Sequence, residues 1–310
     1  MEHMNELTEF LQDSGIYWRR QEPMNAHTSF HIGGSAALFI EPSSKSKLAA
    51  LLQRLNALTL SPVIMGRGTN LLVRDEGIDA PVICLGPHLS DIWLQEPPQG
   101  TLTDGQVVVY AQSGAPLTKL CNFCLEQCLT GLEFAYGIPG TVGGAICMNA
   151  GAYGGEMKNV VLAAEHITQD GREELVAADE LEFAYRSSYY SSRSCCIVGG
   201  YFALAHGDAA DIRSLMEETM ERRRAKQPLE FPSAGSTFKR PQGSYASALI
   251  DQCGLKGRRV GGAEVSTKHA GFIINRGGAT ARDVRELIAQ VQQEVERQTG
   301  YRLECEIKFI

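Results

Sequence analysis

The sequence predicts an α+β protein of two or three domains, and three features lead to this prediction. Leucines between Leu48 and Leu58 recur at helical spacing after a strand-like segment, and two further strand-like segments follow, which gives a β-α-β-β unit. A β-hairpin is expected around Asp170–Gly171. A helix beginning at Thr280, with strands before and after it, completes a C-terminal α/β unit.

Local patterns predict the remaining elements. Residues 5–19 resemble a short amphipathic helix and its exit. A longer helix is expected to be capped by Asp208 and to turn four apolar side chains inward: Ile212, Leu215, Met216 and Met220. Near the C-terminus, strands are expected around 263–265, 271–275 and 305–309. The stretch 88–103 is loop-like and precedes a turn signal at Asp104–Gly105, so it marks a predicted domain edge.

Composition excludes several classes of protein. The net charge of −7 argues against a general nucleic-acid binder, which needs a basic face. The N-terminal segment is acidic and lacks an apolar core, so no secretory signal is expected. No apolar run approaches the roughly 20 residues of a membrane helix. We therefore expect a cytoplasmic protein with no nucleic-acid and no membrane partner.

The nine cysteines are an odd number, which favours reduced thiols over a disulfide framework. The spacing of Cys121, Cys124 and Cys128 could suggest a metal or iron–sulfur site. These three residues also share a helical face with leucines, and free cysteine packs as a small hydrophobe. Core packing is therefore the preferred interpretation, and no metal is expected.

The segment 131–156 contains eight glycines mixed with apolar residues. Glycine reaches positive φ easily and allows close approach to the backbone, and the segment is too apolar for a flexible linker. It is interpreted as ordered backbone around a flat or anionic ligand. The alternative is a set of tight turns between buried strands.

A second glycine-rich loop, at 66–70 (GRGTN), directly follows a strand. Its backbone N–H groups and the side chains of Thr69 and Asn70 could bind phosphate oxygens. It is not the dinucleotide fingerprint, because position 71 is leucine, and it is not a P-loop, because no Gly-Lys-Ser/Thr follows. Together the two glycine-rich segments suggest two loops that hold one pyrophosphate.

Eight short motifs occur in order along almost the whole chain from Pro23: HTSFHIGG, GRGTNLLV, GIPGTVGGA, MNAGAYGGE, FAYRSSYY, PSAGSTFKRP, KHAGFIINRGGATARDV and LECEIKFI. In this combination the chain resembles the UDP-N-acetylenolpyruvoylglucosamine reductase (MurB) family. The resemblance implies a two-part FAD-binding region of the vanillyl-alcohol-oxidase type and a C-terminal α/β substrate domain. The tight spacing from Arg186 to Ile197 resembles the shorter branch of the family, which lacks a tyrosine-bearing loop.

The resemblance also implies domain boundaries and a cofactor. The expected regions are 1–88 and 89–225 for the two FAD-binding subdomains, 226–303 for the substrate domain, and 304–310 for a C-terminal strand. FAD is expected without a covalent link, and NADPH is expected as co-substrate. The motif MNAGAY, at 148–153, is expected to line the flavin ring. The cofactor-binding residues implied by the matching motifs are Met65, Gly66, Arg67, Gly68, Thr69, Asn70, Gly137, Ile138, Pro139, Gly140, Thr141, Gly143, Gly144, Asn149, Ala150, Gly151, Ala152 and Tyr153.

Three residues match the family's catalytic positions. The implied reaction adds hydride to C3 of an enolpyruvyl group and a proton to C2. Arg186 would stabilise the enolate charge on the substrate carboxylate, and Ser236 would donate the proton with help from its neighbours. Glu306 would act as a neutral acid or orient the enolate, with burial near the flavin raising its pKa. Glu304 remains its rival, because alternate residues of a strand point the same way.

The substrate implied by the resemblance is a small nucleotide sugar, and a monomer is expected. The residues expected to bind the diphosphate of the nucleotide sugar and the phosphates of NADPH are Lys226, Lys239, Arg240, His269 and Asn275. Arg240 departs from the asparagine often found at its position, and His269 could equally be a structural histidine. Two other functions remain open: an FAD-dependent oxidase of a sugar or lactone, and a nucleotide-sugar-binding protein without catalysis.

Overall fold

The computed structural model describes residues 2–98, 102 and 105–310. Asp104, the first residue of the turn expected at Asp104–Gly105, and part of the loop-like stretch 88–103 therefore lie outside the described residues. Within that stretch, Ile92–Gln95 forms a strand rather than a loop. None of the described helices is both long enough and apolar enough to cross a membrane.

Contacts divide the chain into two compact units. Unit 1 comprises Met1–Arg19, Phe39–Gly66 and Ala80–Glu221. Unit 2 comprises Arg20–Leu38, Arg67–Asp79 and Arg222–Ile310. Each unit is therefore assembled from three separate segments. The boundaries 1–88, 89–225, 226–303 and 304–310 that the sequence suggests stay a prediction.

The helices of the described residues fall largely where apolar spacing predicts them. The helices are α1 (Glu2–Asp13), α2 (Lys45–Ala57), α3 (Leu117–Glu126), α4 (Val142–Cys147), α5 (Ala209–Lys226), α6 (Ala246–Gln252) and α7 (Ala281–Thr299). The short helix and its exit predicted over residues 5–19 are confirmed, since α1 ends at Asp13 and the chain is extended from Tyr17 onwards.

The strands are short on average, and most belong to small sheets. The strands are β1 (Tyr17–Pro23), β2 (Ser35–Glu41), β3 (Val63–Met65), β4 (Leu71–Leu72), β5 (Ile78–Cys84), β6 (Ile92–Gln95), β7 (Gln106–Gln112), β8 (Leu129–Thr130), β9 (Gly151–Ala152), β10 (Gly155–Glu156), β11 (Val161–Thr168), β12 (Glu173–Ala177), β13 (Cys195–His206), β14 (Arg259–Val260), β15 (Ala263–Val265), β16 (Ile273–Asn275) and β17 (Lys308–Phe309). One sheet has the order β1-β2-β5-β3, and the divisions between the two units fall inside β1, β2 and β5.

Unit 1 is built on an antiparallel sheet with the strand order β12-β11-β13-β7-β6 and with β8 paired to β13. The hairpin predicted around Asp170–Gly171 is confirmed, since β11 and β12 pair antiparallel on either side of it. Helices α3 and α4 bury their apolar side chains in the core of this unit. Cys121 and Cys124 are part of that core, as the packing interpretation predicts, whereas Cys128 is exposed.

Helix α5 begins where Asp208 accepts hydrogen bonds at Oδ1 from the N–H groups of Ala210 and Asp211. The prediction that Leu215 points inward is wrong, because 49% of this side chain is exposed. Ile212 and Met216 are buried instead. The buried stripe is narrow, and Leu215 lies beside it.

Unit 2 packs helices α6 and α7 with the three-stranded sheet β14-β15-β16 around an apolar core. The predicted cap of α7 is confirmed: Thr280 and Asp283 satisfy each other's backbone N–H groups in a capping box. The predicted C-terminal strand is only partly right. Cys305 makes an isolated bridge with Phe238, and regular pairing, of β17 with β4, begins at Lys308.

Candidate active site

In unit 1, the two glycine-rich segments meet at Gly66. A Cβ atom at this position would overlap the side chain of Thr141. Met65, the residue before it, is buried, and its carbonyl oxygen accepts a hydrogen bond from Leu85 at 2.9 Å. The absence of a side chain at Gly66 therefore allows the first loop to approach the second, as the sequence suggests.

The start of α4 is held by protein groups rather than left open. The N–H groups of Val142 and Gly143 donate to the carbonyl oxygens of Ala115 and Ser113, both at 2.9 Å. These two donors are therefore not available to a phosphate. A Cβ at Gly143 would lie 2.8 Å from Cβ of Ser113, so packing within the protein already explains this glycine.

Gly144, next along the helix, is different. Among the described residues outside the backbone of the helix itself, a Cβ atom added here would meet only Thr141 Oγ1, at 3.7 Å, which is an ordinary contact. Protein packing does not explain this glycine, and the space beside it can accept a ligand. This observation fits a bound cofactor at the loop. The other members of the predicted set in this loop, Gly137, Ile138, Pro139 and Gly140, lie immediately before α4.

The segment that was predicted to line the flavin ring forms a tight hairpin. Ala152 pairs with Gly155, and the two residues between them have positive φ angles of 53° at Tyr153 and 91° at Gly154. Tyr153 is 43% exposed. Ala150 is tied down on both sides, since its N–H donates to Ala145 and its carbonyl accepts from Met157. The hairpin is therefore ordered by its own backbone.

Arg186 lies in a tight turn of unit 1. Ala184 and Ser187 exchange two backbone hydrogen bonds, of 3.0 and 3.2 Å, and Arg186 between them has a φ of 55°. Its Nη2 donates to the carbonyl oxygen of Gly151 at 3.4 Å. The guanidinium carbon also lies 5.1 Å from the ring centroid of Tyr185. The candidate catalytic arginine is thus beside the hairpin predicted to line the flavin.

Unit 2 contains the rest of the first loop. Arg67 is exposed, and Gly68 has a φ of 61°. The carbonyl oxygen of Gly68 accepts a hydrogen bond from Ser29 at 3.3 Å. Asn70 donates from Nδ2 to the carbonyl oxygen of Glu306 at 3.2 Å. Thr69, between them, is half-buried.

Ser236 and Glu306 lie on paired backbone segments of unit 2. The N–H of Glu306 donates to the carbonyl oxygen of Thr237 at 2.8 Å. Ser236 itself forms an isolated antiparallel bridge with Phe272. Both Ser236 and Glu306 are half-buried. The structure therefore brings together the segments that carry the predicted proton donor and the predicted carboxyl group.

Glu304 has a different environment from Glu306. Its side chain is 75% exposed and forms an ion pair of 3.2 Å with Lys239. The backbone of Lys239 also donates to the carbonyl oxygen of Glu304, at 2.8 Å. Because the Glu304 side chain is exposed and already has a cationic partner, Glu304 is the weaker candidate for the catalytic carboxyl group.

The predicted substrate ligands are spread over unit 2. Lys226 and Arg240 are exposed, and the guanidinium of Arg240 lies 4.0 Å from the ring centroid of Tyr245. His269 accepts a hydrogen bond at Nδ1 from the N–H of Gly271. Burial lowers the pKa of His269, and the charges of Lys256 and Lys226 lower it further. The imidazole is therefore held in its neutral form.

Asn275 has a clear role in the fold. Its Nδ2 donates to the carbonyl oxygen of Phe30 at 3.1 Å, and its Oδ1 accepts from the N–H groups of Gly277 and Ala279. Most of its hydrogen-bonding capacity is used inside unit 2. A contact with substrate stays a prediction for this residue.

Sequence reasoning missed one residue that organises unit 2. The hydroxyl of Ser29 donates to the carbonyl oxygen of Ser233 at 2.7 Å, and its own carbonyl accepts from Ser233 N–H. Since the N–H of Ser29 also donates to Gly68, this residue links the first glycine-rich loop to the segment that leads to Ser236. The HTSF motif that contains Ser29 was the available signal, but a motif does not reveal its partners.

The described residues contain no group of three or more His, Cys, Asp or Glu side chains placed to hold a metal ion. Burial raises the pKa of the Cys124 thiol to about 12 and raises that of Cys121 further. Both thiols are therefore protonated at neutral pH, which disfavours them as ligands.

Comparison with known proteins agrees with this geometry. Residues 36–176 match the model of an FAD binding domain, and residues 227–310 match that of the C-terminal domain of UDP-N-acetylenolpyruvoylglucosamine reductase. The reductase of Agathobacter rectalis is 44% identical over 98% of this chain and 96% of its own length. That of Caldanaerobacter subterraneus is 42% identical over 99% of this chain and 97% of its own length.

A solved structure supports the same assignment. The crystal structure of the MurB reductase from Thermus caldophilus matches 95% of this chain and 98% of its own, with a TM-score of 0.78 and 31% identity. The predicted fold class, an α+β FAD-binding region followed by a C-terminal domain, is confirmed.

The FAD-binding domain and the meeting of the two glycine-rich segments define the class of protein: an FAD-dependent oxidoreductase. Within that class the chain belongs to the UDP-N-acetylenolpyruvoylglucosamine reductase (MurB) family.

Proposed function

We propose that this protein reduces UDP-N-acetylglucosamine enolpyruvate to UDP-N-acetylmuramate with NADPH. The observation that carries the proposal is the 44% identity to a reductase of that name over 98% of the chain. FAD, which the two glycine-rich segments would hold, would supply the hydride chemistry that links NADPH to C3 of the enolpyruvyl group. The residues of the chain bind and orient the reactants and supply the proton.

Arg186 stabilises the negative charge that develops on the enolpyruvyl carboxylate. Its planar fork of N–H donors suits a carboxylate, and a fixed cation at that position acts most strongly in the transition state. The hydrogen bond to the carbonyl oxygen of Gly151 comes from Nη2, and it fixes the guanidinium beside the hairpin predicted to line the flavin.

Ser236 delivers the proton to C2, and Glu306 assists it. A serine hydroxyl is a weak acid, so the proton has to be replaced from a neighbouring group or solvent. The backbone hydrogen bond from Glu306 to Thr237 supports this pairing, because it fixes the main chain of Glu306 against the residue that follows Ser236.

Cationic side chains of unit 2 bind the phosphates of the nucleotide sugar and of NADPH. Lys226 is the strongest of these candidates, since it is exposed and its charge acts on His269. Lys239 is weaker, because Glu304 already partners it. Arg240 is the third cationic member of the proposed set, and His269 and Asn275 are its uncharged members.

FAD is held without a covalent bond, because the first glycine-rich loop offers Thr69 and Asn70 where a tethering histidine would be needed. The protein acts as a monomer in the cytoplasm and binds neither nucleic acid nor membrane.

The test is anaerobic spectroscopy of the purified flavoprotein. NADPH should bleach the flavin absorption near about 450 nm, and UDP-N-acetylglucosamine enolpyruvate should restore it. An FAD-dependent oxidase would instead be bleached by a sugar or lactone and restored by oxygen. A binding protein without catalysis would bind the nucleotide sugar without any restoration, which would refute the proposal.

A further inference from the structure

The side chain of Asn149 is completely buried, with 0% exposure. It was expected among the cofactor-binding residues, yet its polar atoms contact protein groups of unit 1. Nδ2 donates to Oε2 of Glu156 at 2.9 Å and to the carbonyl oxygen of Ala184 at 3.1 Å. Oδ1 accepts from the N–H of Lys158 at 3.0 Å. Both protons of the amide are therefore used.

The second of these bonds reaches the turn that carries Arg186. Ala184 is the first residue of that turn and exchanges two backbone hydrogen bonds with Ser187. The far side is anchored as well, because the hydroxyl of Ser188 donates to the carbonyl oxygen of Cys147 at 2.8 Å. Two side-chain bonds thus tie Ala184, the first residue of the four-residue turn, and Ser188, the residue that follows the turn, to the segment 147–149.

The turn needs this support because its conformation is strained. Arg186 has a φ of 55°, which is unfavourable for a residue with a Cβ atom and persists only when the surroundings enforce it. Without the bond from Asn149, the carbonyl oxygen of Ala184 would keep, among the described residues, only the hydrogen bond from the N–H of Ser187. The guanidinium would then lose its fixed position beside Gly151.

An aspartate could not replace Asn149. Glu156 accepts the first bond as a carboxylate and is paired with Lys158 at 2.8 Å. The substitution Asn149→Asp would place a second carboxylate against Glu156 and an oxygen against the carbonyl oxygen of Ala184. The shape of the side chain would be kept while both donors were lost.

We propose that Asn149 is a positioning residue: its amide holds the turn that presents Arg186 to the substrate, rather than contacting the cofactor. The inference rests on the proposed function for the role of Arg186. It predicts that loss of the amide slows the step in which the substrate is reduced and leaves flavin binding and the reaction with NADPH unchanged.

The central test compares N149D with N159D. Asn159 is exposed and accepts from the N–H of Glu156 through Oδ1, a bond that aspartate keeps. For N149D we expect normal flavin content, normal bleaching by NADPH, and reoxidation by the enolpyruvyl nucleotide slowed about 100-fold. N159D should stay within about twofold of the wild type. Loss of flavin by N149D would make Asn149 a cofactor ligand and overturn the proposal.

A double variant separates positioning from general stability. In N149D/E156Q, the introduced glutamine amide can donate to the introduced carboxylate, but the bond to Ala184 is still missing. We expect the melting temperature to recover and the rate of reoxidation to stay low. Recovery of both would show that Asn149 acts only through stability.

Proteolysis tests the position of the turn without any substrate. Tyr185 is 49% exposed, and chymotrypsin cleaves after tyrosine where the backbone can open. Cleavage between Tyr185 and Arg186, followed by mass spectrometry, should be faster in N149D than in N159D; equal rates would refute the positioning role. If the wild type is not reoxidised by the nucleotide, the proposed function fails while this measurement still decides the role of Asn149.

Discussion

Glu306 donates its backbone N–H to the carbonyl oxygen of Thr237 at 2.8 Å, so the C-terminal segment is paired with the residue that follows Ser236. The two candidate groups for protonation of the substrate come from positions 70 residues apart in the sequence, 236 and 306. Their backbones are nevertheless fixed together. Substituting one side chain at a time therefore tests the role of Ser236 and the role of Glu306 in protonation of the substrate.

Removing either group should block protonation of the substrate. For S236A and E306Q we expect turnover to fall by about 10²–10⁴-fold, the usual contribution of a positioned acid, while NADPH still bleaches the flavin. E304Q is the matched control, since its exposed ion pair with Lys239 contributes little. Steady-state kinetics provide the measurement. Full activity of E306Q together with loss of activity in E304Q would reverse the assignment.

Two substitutions at Arg186 separate charge from backbone strain. R186A and R186G should both lower the rate of substrate reduction by about 100-fold, because both remove the cation. R186G should be more stable than R186A by about 1 kcal/mol, since only glycine adopts a φ of 55° without cost. Chemical denaturation of the two variants checks the difference. Equal stability would mean that the turn is not strained.

Gly143 and Gly144 should respond differently to alanine. In G143A the new Cβ would lie 2.8 Å from Cβ of Ser113, so we expect a loss of about 1–3 kcal/mol of stability. G144A should fold normally, because its Cβ meets only Thr141 at 3.7 Å. If the cofactor occupies that space, G144A should also bind FAD clearly more weakly than the wild type. Melting curves and FAD titration of the apoprotein give the two readouts, and unaltered affinity in G144A would place the cofactor elsewhere.

Ser113 carries a buried hydroxyl that has no hydrogen-bond partner among the described residues. An unsatisfied buried hydroxyl costs about 1–3 kcal/mol. S113A should therefore be at least as stable as the wild type. S188A should be less stable by about 1 kcal/mol, since Ser188 donates to Cys147. Urea denaturation at neutral pH compares them; a clearly destabilised S113A would show that its hydroxyl has a partner.

His166 should make the protein sensitive to acid. Burial lowers its pKa below the usual value of 6.5, and the nearby Glu174 only partly offsets this. The unfolded chain then binds the proton more readily than the folded one. The contribution of His166 to stability should be complete above pH 6.5 and should fall as the pH drops from 6.5 towards the lower folded pKa. The free energy of unfolding of H166N should lose part of this slope, and an unchanged slope would assign the effect to other groups.

Local features of the structure could be predicted well from the sequence. The cap at Thr280 and the hairpin at Asp170–Gly171 depend on neighbouring residues, and both are confirmed. The prediction that Leu215 points inward is wrong, because apolar spacing alone does not fix the width of the buried stripe on a helix. The strand expected around 305–309 is only partly right, because Cys305 forms an isolated bridge with Phe238 and regular pairing begins at Lys308.

In the candidate site too, local sequence patterns did not reveal which residues contact each other in the folded protein. The high density of glycines predicted the two loops. The sequence could not show that Gly66 packs against Thr141, or that Gly143 packs against Ser113. Asn149 was grouped with the cofactor because of its motif. One of its partners in the structure, the carbonyl oxygen of Ala184, lies 35 residues away, and such pairings depend on tertiary structure.

The most direct test of the account is where the new hydrogens go in a single turnover. With deuteride-labelled NADPH in ordinary water, the product should be UDP-N-acetylmuramate with deuterium at C3 only. With unlabelled NADPH in deuterium oxide, deuterium should appear at C2 only. Absence of product, or deuterium from NADPH at C2, would contradict the account.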